Sequence, residues 1–249
     1  MNDERFAADL AEFDRQSKLA PKLYSPVVQI MKKFKYEEQQ MRFDNLYATQ
    51  DTLVFKAFLG HIRATGVEEF LDIGSRLNSM IFFAQFARCH YLEVRPPAVS
   101  IDRVKFVKGQ AQALPFADGR FKVITSLHAV EHFGLGRYGD TIDFEGDIKG
   151  LREIKRCLSD DGVAFISVPI HKPACARTQF HEQRIYSLPN LREMIDDADL
   201  KIEVLQIIPT VTAEVKAYLN ENPETSPEDI LELLMPKATA VAIVIVRPK

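Results

Sequence analysis

From Val67 onward the chain alternates short apolar runs with segments whose apolar positions recur every three or four residues. The short runs predict strands buried on both faces, and the periodic segments predict amphipathic helices. The runs EFLDIG, HYLEV, VKFVKG, FKVITSL, VAFISVPI, KIEVLQIIP and ATAVAIVIVRP supply seven strands. LNSMIFFAQFARC and DIKGLREIKRCL read as helices, the second ended by the turn SDDG. SLPNLREMIDDAD opens with Ser187 as a cap and Pro189 in its first turn. Two short helices fit between Thr212 and Leu234. Alternating strands and helices imply a doubly wound α/β fold with a mostly parallel seven-stranded sheet over residues 66–249. Residues 1–65 read as helices broken near Pro21 and Pro26, an N-terminal helical cap. Ligands of such sheets bind beyond the carboxyl ends of the strands, where Asp72, Gly74, Glu93, Gln110 and the run from Ser126 to His132 fall.

Charge and cysteine content narrow the class. The formal net charge of the 249 residues is -3, so no global basic field calls for nucleic acid. Lys32, Lys33 and Lys35 read as a solvated helix face. The cysteines, Cys89, Cys157 and Cys175, are far apart and odd in number, which argues against a zinc cluster or a disulfide framework and suits a reducing cytoplasm. No apolar stretch reaches spanning length and the first residues lack the apolar core of a signal peptide, so membrane insertion is not expected. Nothing in the pattern sets an oligomeric state.

A strand ending in Asp-Ile-Gly resembles the first signature of the class I S-adenosylmethionine-dependent methyltransferases. Gly74 permits a sharp backbone turn beside a ligand. Asp72 suits the amino group of the methionine moiety, and Ser75 continues the turn. The chain has GSRLNS where a dinucleotide site needs G-x-G-x-x-G, which argues against a pyrophosphate ligand. Glu93, about 20 residues beyond Asp72, offers a two-oxygen acceptor to a ribose diol. VKGQAQALPFADGRFKVITSL resembles the segment that lines adenine in this superfamily. There Gln110 stands where an acid is usual, with Ala111 and Leu114 as apolar walls, and Leu127 is also expected at the cofactor. The resemblance covers residues 67 to about 210 and implies a Rossmann-like methyltransferase sheet with S-adenosyl-L-methionine as cofactor.

SLHAVEHFGLGRYGDTIDFEGDIKGLREIKRCLSDDGVAFISVP and HEQRIYS are similar to a little-characterised methyltransferase-like family, several of whose members are associated with bacterial surface-glycan biosynthesis. That similarity implies a saccharide or other small-molecule acceptor. FGLGRYGDTIDFEGDIKG, rich in glycine and without periodicity, reads as a mobile loop over the acceptor. If the acceptor is a hydroxyl, a base must take its proton. His128, at the start of an expected helix, is the favoured base, with His132 as the alternative and Glu131 orienting either ring. Arg137 and Tyr138 from one side, and Asp147, Arg184 and Tyr186 from the other, are expected to hold the acceptor. Two other readings stand beside the enzyme: a non-catalytic scaffold on the same fold, and a zinc hydrolase using His128, Glu131 and His132 as an H-x-x-E-H helix. No metal site is expected.

Overall fold

The computed structural model describes Ala11 and residues 46–210, 213–234 and 239–249. The chain divides into two units, Met1–Arg42 and Phe43–Lys249. Apart from Ala11 the first lies outside the described residues, and with it most of the expected cap and the lysine cluster. Helix α1 (Leu46–Thr65), assigned to the cap on sequence, belongs to the second unit.

That unit runs β1 (Glu69–Ile73), α2 (Leu77–Phe83), β2 (Arg88–Glu93), β3 (Val104–Lys108), β4 (Phe121–Leu127), α3 (Gly146–Cys157), β5 (Leu158–Ile170), a hairpin β6 (Arg177–Gln179) and β7 (Gln183–Ile185), α4 (Leu188–Asp197), β8 (Leu200–Pro209), α5 (Ala213–Glu221), α6 (Pro227–Glu232) and β9 (Ala240–Pro248). The seven-stranded sheet has the order β3-β2-β1-β4-β5-β9-β8. Its first five strands are mutually parallel, and β9 runs antiparallel to both neighbours. The order reverses between β1 and β4, so a crevice opens at their carboxyl ends.

Period-two alternation builds a core on each face of the sheet. On β9, Ala242, Val244 and Val246 face the layer that holds Leu151 and Ile154 of α3 and Leu191 of α4. Val241 and Ile243 face the layer that holds Val54, Phe58 and Ile62 of α1 and Met80 and Phe83 of α2. The α1 residues recur every four positions, so one stripe of the helix is buried. Phe58 packs against Phe70, Phe83 and Phe165; burying such a side chain is worth about 1.5–3 kcal/mol.

Two expectations change, and one element is new. Helix α2 stops at Phe83 rather than continuing to Cys89, and β2 begins at Arg88. SDDG does not separate helix from strand: Leu158 already pairs with Phe121, Ser159 to Gly162 bulge outward, and pairing resumes at Val123 and Val163. HEQRIYS carries the returning strand of a hairpin, because Thr178 pairs with Arg184. Ser187 caps α4 as its sequence implies, accepting the Asn190 N–H at 3.3 Å.

Candidate functional site

A cavity of about 280 Å³ lies at the carboxyl ends of β1, β2 and β4, lined by residues that include Gly74, Arg76, Glu93, Ala111, Gln112, His128, His132 and Tyr138. The turn after β1 forms one wall. Gly74 has φ +69°, a left-handed conformation that glycine adopts at no steric cost, and its N–H donates to Leu92 O at 3.1 Å. Asp72 is fully buried beneath this turn and does not line the cavity. It accepts from Ser75 N at 3.0 Å, Ser75 Oγ at 2.6 Å and Thr125 Oγ1 at 2.6 Å. Burial pushes its carboxyl up to about 7, against the pull of those donors. Asp72 therefore knots the turn rather than facing a methionine amino group. Ser75 borders the cavity, but its hydroxyl is committed to Asp72 and to the Leu127 N–H at 2.8 Å. Leu127 itself points into the core beneath the sheet and not into the cavity.

Glu93 ends β2 half-buried at the cavity, accepting the Arg95 N–H at 3.1 Å. The next wall, Gly109 to Leu114, is held from α3. Glu153 accepts the Leu114 N–H at 2.7 Å, and Arg156 donates to Leu114 O at 3.0 Å and Phe116 O at 2.8 Å. Ala111, 4% exposed, lines the cavity. Gln110 does not. Its amide exchanges hydrogen bonds with Thr141, Nε2 donating to Oγ1 at 3.1 Å and Oε1 accepting the N–H at 2.9 Å. Gln112 borders the cavity in its stead, with its Nε2 buried and without a partner. A buried donor left unpaired is costly, so it marks a position that a ligand acceptor would satisfy.

His128 leaves β4 with φ +51°, so no α-helix starts there; only a single 3-10 turn follows, Val130–His132. Its N–H donates to Ser167 O at 3.0 Å, and Ser167 Oγ donates to Gln50 Oε1 at 2.6 Å. The imidazole Nδ1 lies 2.8 Å from Glu131 Oε1, and Glu131 is fully buried. An ionised carboxylate only accepts, so beside it Nδ1 carries a proton, and in the neutral ring the lone pair is then on Nε2. That Nε2 is buried at the cavity without a partner. His132 Nδ1 lies 2.5 Å from Glu182 O, and its Nε2 is 3.8 Å from Glu131. The helix on which H-x-x-E-H would present two imidazoles to zinc is thus not formed, and both Nδ1 atoms face protein acceptors.

The glycine-rich loop is tied down rather than loose. Asp140 accepts the N–H groups of Gly134 at 2.8 Å, Gly136 at 3.3 Å and Tyr138 at 3.3 Å. Asp143 pairs with Lys149 at 2.8 Å. Asp147, Arg184 and Tyr186, expected to hold the acceptor, are absent from the cavity lining and form a buried brace behind the loop. Asp147 accepts from Tyr186 Oη at 3.0 Å and pairs with Arg184 Nε at 3.3 Å. Arg184 also donates to Phe133 O at 2.7 Å and Phe144 O at 2.9 Å, gripping both ends of the loop. Arg184→Ala leaves the Asp147 carboxylate buried without its cation and frees both carbonyls. We expect it to lower stability by about 3–5 kcal/mol in denaturant melts. A loss below about 1 kcal/mol contradicts the brace.

Of the remaining loop residues, Tyr138 lines the cavity and packs edge-on against His132 with ring centroids 5.3 Å apart. Arg137 is exposed and donates to Glu182 O at 3.3 Å. Arg76, Arg95 and Gln112, none of them singled out by the sequence reading, complete the cavity wall.

A family model described as "Caenorhabditis protein of unknown function, DUF268" matches residues 91–200. The Uncharacterized methyltransferase YcgJ of Bacillus subtilis (strain 168) is 34% identical over 73 residues, 29% of this chain and 24% of that protein. The chain thus spans about a quarter of the length of this curated relative. The [4+2]-cyclase SpnF superposes with a TM-score of 0.59 at 17% identity, covering 86% of this chain and 85% of that one. The 1,6-didemethyltoxoflavin-N1-methyltransferase of Burkholderia thailandensis, bound to S-adenosylhomocysteine, gives 0.51 at 16% identity, covering 82% and 84%. The geranyl diphosphate C-methyltransferase of Streptomyces coelicolor A3(2) gives 0.54 at 12% identity, covering 80% and 79%. With the strand order and the crevice, these likenesses define the class: the chain has the fold of the S-adenosylmethionine-dependent methyltransferases.

Proposed function

We propose that the protein is an S-adenosylmethionine-dependent methyltransferase that methylates oxygen on a saccharide or other small-molecule acceptor, with His128 as base. The observation that carries this reading is the His128 Nε2, buried and unpartnered at the cavity while Glu131 holds Nδ1. A sulfonium cofactor, when bound, supplies an electrophilic methyl group.

The residues present fit such a cofactor. Glu93 offers two acceptor oxygens to ribose hydroxyls. Ala111 gives an apolar wall to adenine, and the orphaned Gln112 amide offers a hydrogen bond to its edge, the part expected of Gln110. Arg76, beside the Gly74–Ser75 turn, suits the carboxylate of the methionine end. His128 is placed to take the proton of an acceptor hydroxyl, and buried Glu131 stabilises the imidazolium that forms. Tyr138 lines the same cavity. The saccharide acceptor rests on the resemblance of residues 126–187 alone.

The first test is calorimetric titration of the intact chain with S-adenosylhomocysteine and S-adenosylmethionine. One site of micromolar affinity is expected. No heat at millimolar ligand removes the reading.

A further inference from the structure

Arg95 and Arg137 both sit over the ring of Tyr138, with guanidinium carbons 5.2 Å and 5.3 Å from its centroid. Both arginines are exposed, and among the described residues neither has a carboxylate within ion-pair distance. The Tyr138 ring attracts each cation through its quadrupole, and Arg95 and Tyr138 both line the cavity. The two arginines are carried by different elements, the exit of β2 and the glycine-rich loop, so only the folded site brings them together. An anion bound between the two would be attracted by both charges. The ring that holds them lies on the His132 wall, and His132 approaches Glu131, the partner of His128.

We infer that Arg95 and Arg137 form a phosphate subsite for the acceptor, so that the molecule methylated is a phosphate ester. This rests on the methyltransferase reading above. The guanidinium fork matches phosphate oxygens bidentately. Two unneutralised cations suit a dianion better than the single charge of a carboxylate. Arg76, which lines the cavity beside the Gly74–Ser75 turn, is left for the carboxylate of the cofactor. The aromatic platform keeps both forks aimed, which reduces the ordering cost of capture.

The test is titration of inorganic phosphate, a hexose 1-phosphate, the free hexose and a hexuronic acid into the intact chain, with and without saturating S-adenosylhomocysteine. The hexose 1-phosphate is expected to bind at least tenfold tighter than the free hexose and the hexuronic acid. Arg95→Gln/Arg137→Gln is expected to remove that preference while leaving S-adenosylhomocysteine affinity within twofold. Arg95→Lys keeps the charge without the fork and is expected to lose part of it. Equal binding of hexose and hexose phosphate overturns the subsite. So does equal binding of the uronic acid, or a double variant that retains the preference. A double variant that folds but loses S-adenosylhomocysteine gives the arginines to the cofactor instead. Failure of the wild type to bind S-adenosylhomocysteine, with phosphate selectivity intact, separates loss of the methyltransferase reading from loss of this one.

Discussion

Replacing His128 with alanine is expected to lower kcat by about 10²–10⁴-fold, the usual contribution of a positioned base, while S-adenosylhomocysteine affinity stays within about twofold. Turnover is read as transfer of labelled methyl to the best acceptor of a phosphorylated and unphosphorylated saccharide panel. The prediction follows from where the proton sits. Glu131 accepts from Nδ1 at 2.8 Å, which in the neutral ring leaves the lone pair on Nε2 of a residue that lines the cavity. A purely structural role makes a different prediction, because His128 also holds a left-handed backbone at φ +51°. Asparagine tolerates that conformation better than most residues. His128→Asn is therefore expected to melt near the wild type yet remain as slow as His128→Ala. Full activity in the asparagine variant sinks the base assignment, because no amide accepts a proton at neutral pH. Glu131→Gln keeps an acceptor for Nδ1–H and loses the charge, so its rate is expected to fall between wild type and His128→Ala.

The strands were readable because strands buried on both faces are near-continuous apolar runs, as Ala240 to Val244 is and as Val163 to Ile170 is apart from Ser167. Glu93 was legible for a related reason: a carboxylate closing a central parallel strand falls at the crevice whatever the loops do. The rest of the site depends on pairings that spacing does not encode. Asp147 and Arg184 sit far apart in sequence, and only the hairpin return brings them together; as isolated charged residues they resemble substrate ligands. Gln110 and Gln112 differ by two positions, and which one faces the cavity is settled by a loop residue, Thr141, that captures the first. Asp72 looked like a ligand contact because Thr125, which claims one of its oxygens, lies on another strand. The helix expected at His128 fails for a local reason, a left-handed backbone at the strand exit that is uncommon for any residue but glycine. Strand-level chemistry was visible in one dimension, whereas side-chain commitment was not.

Glu93→Ala is expected to weaken S-adenosylhomocysteine binding by about 100-fold or more in titration. A carboxylate gripping two hydroxyls makes two charge-assisted hydrogen bonds, each worth about 1.5–3 kcal/mol, and about 1.4 kcal/mol is tenfold. The free protein should tolerate the change well. Glu93 is half-exposed at a strand end, where its side chain accepts the Arg95 N–H at 3.1 Å. The loss should therefore appear in affinity with little shift in melting temperature. Glu93→Gln keeps one carbonyl acceptor and turns the other oxygen into a donor, so it should lie between alanine and wild type. A nucleoside lacking both ribose hydroxyls should bind wild type and Glu93→Ala alike, since the variant has only those contacts to lose. If that analogue instead distinguishes the two proteins, the carboxylate acts on another part of the ligand. If Glu93→Ala binds S-adenosylhomocysteine as tightly as the wild type does, the ribose does not rest at the end of β2, and the cofactor orientation that places its methyl group toward His128 goes with it.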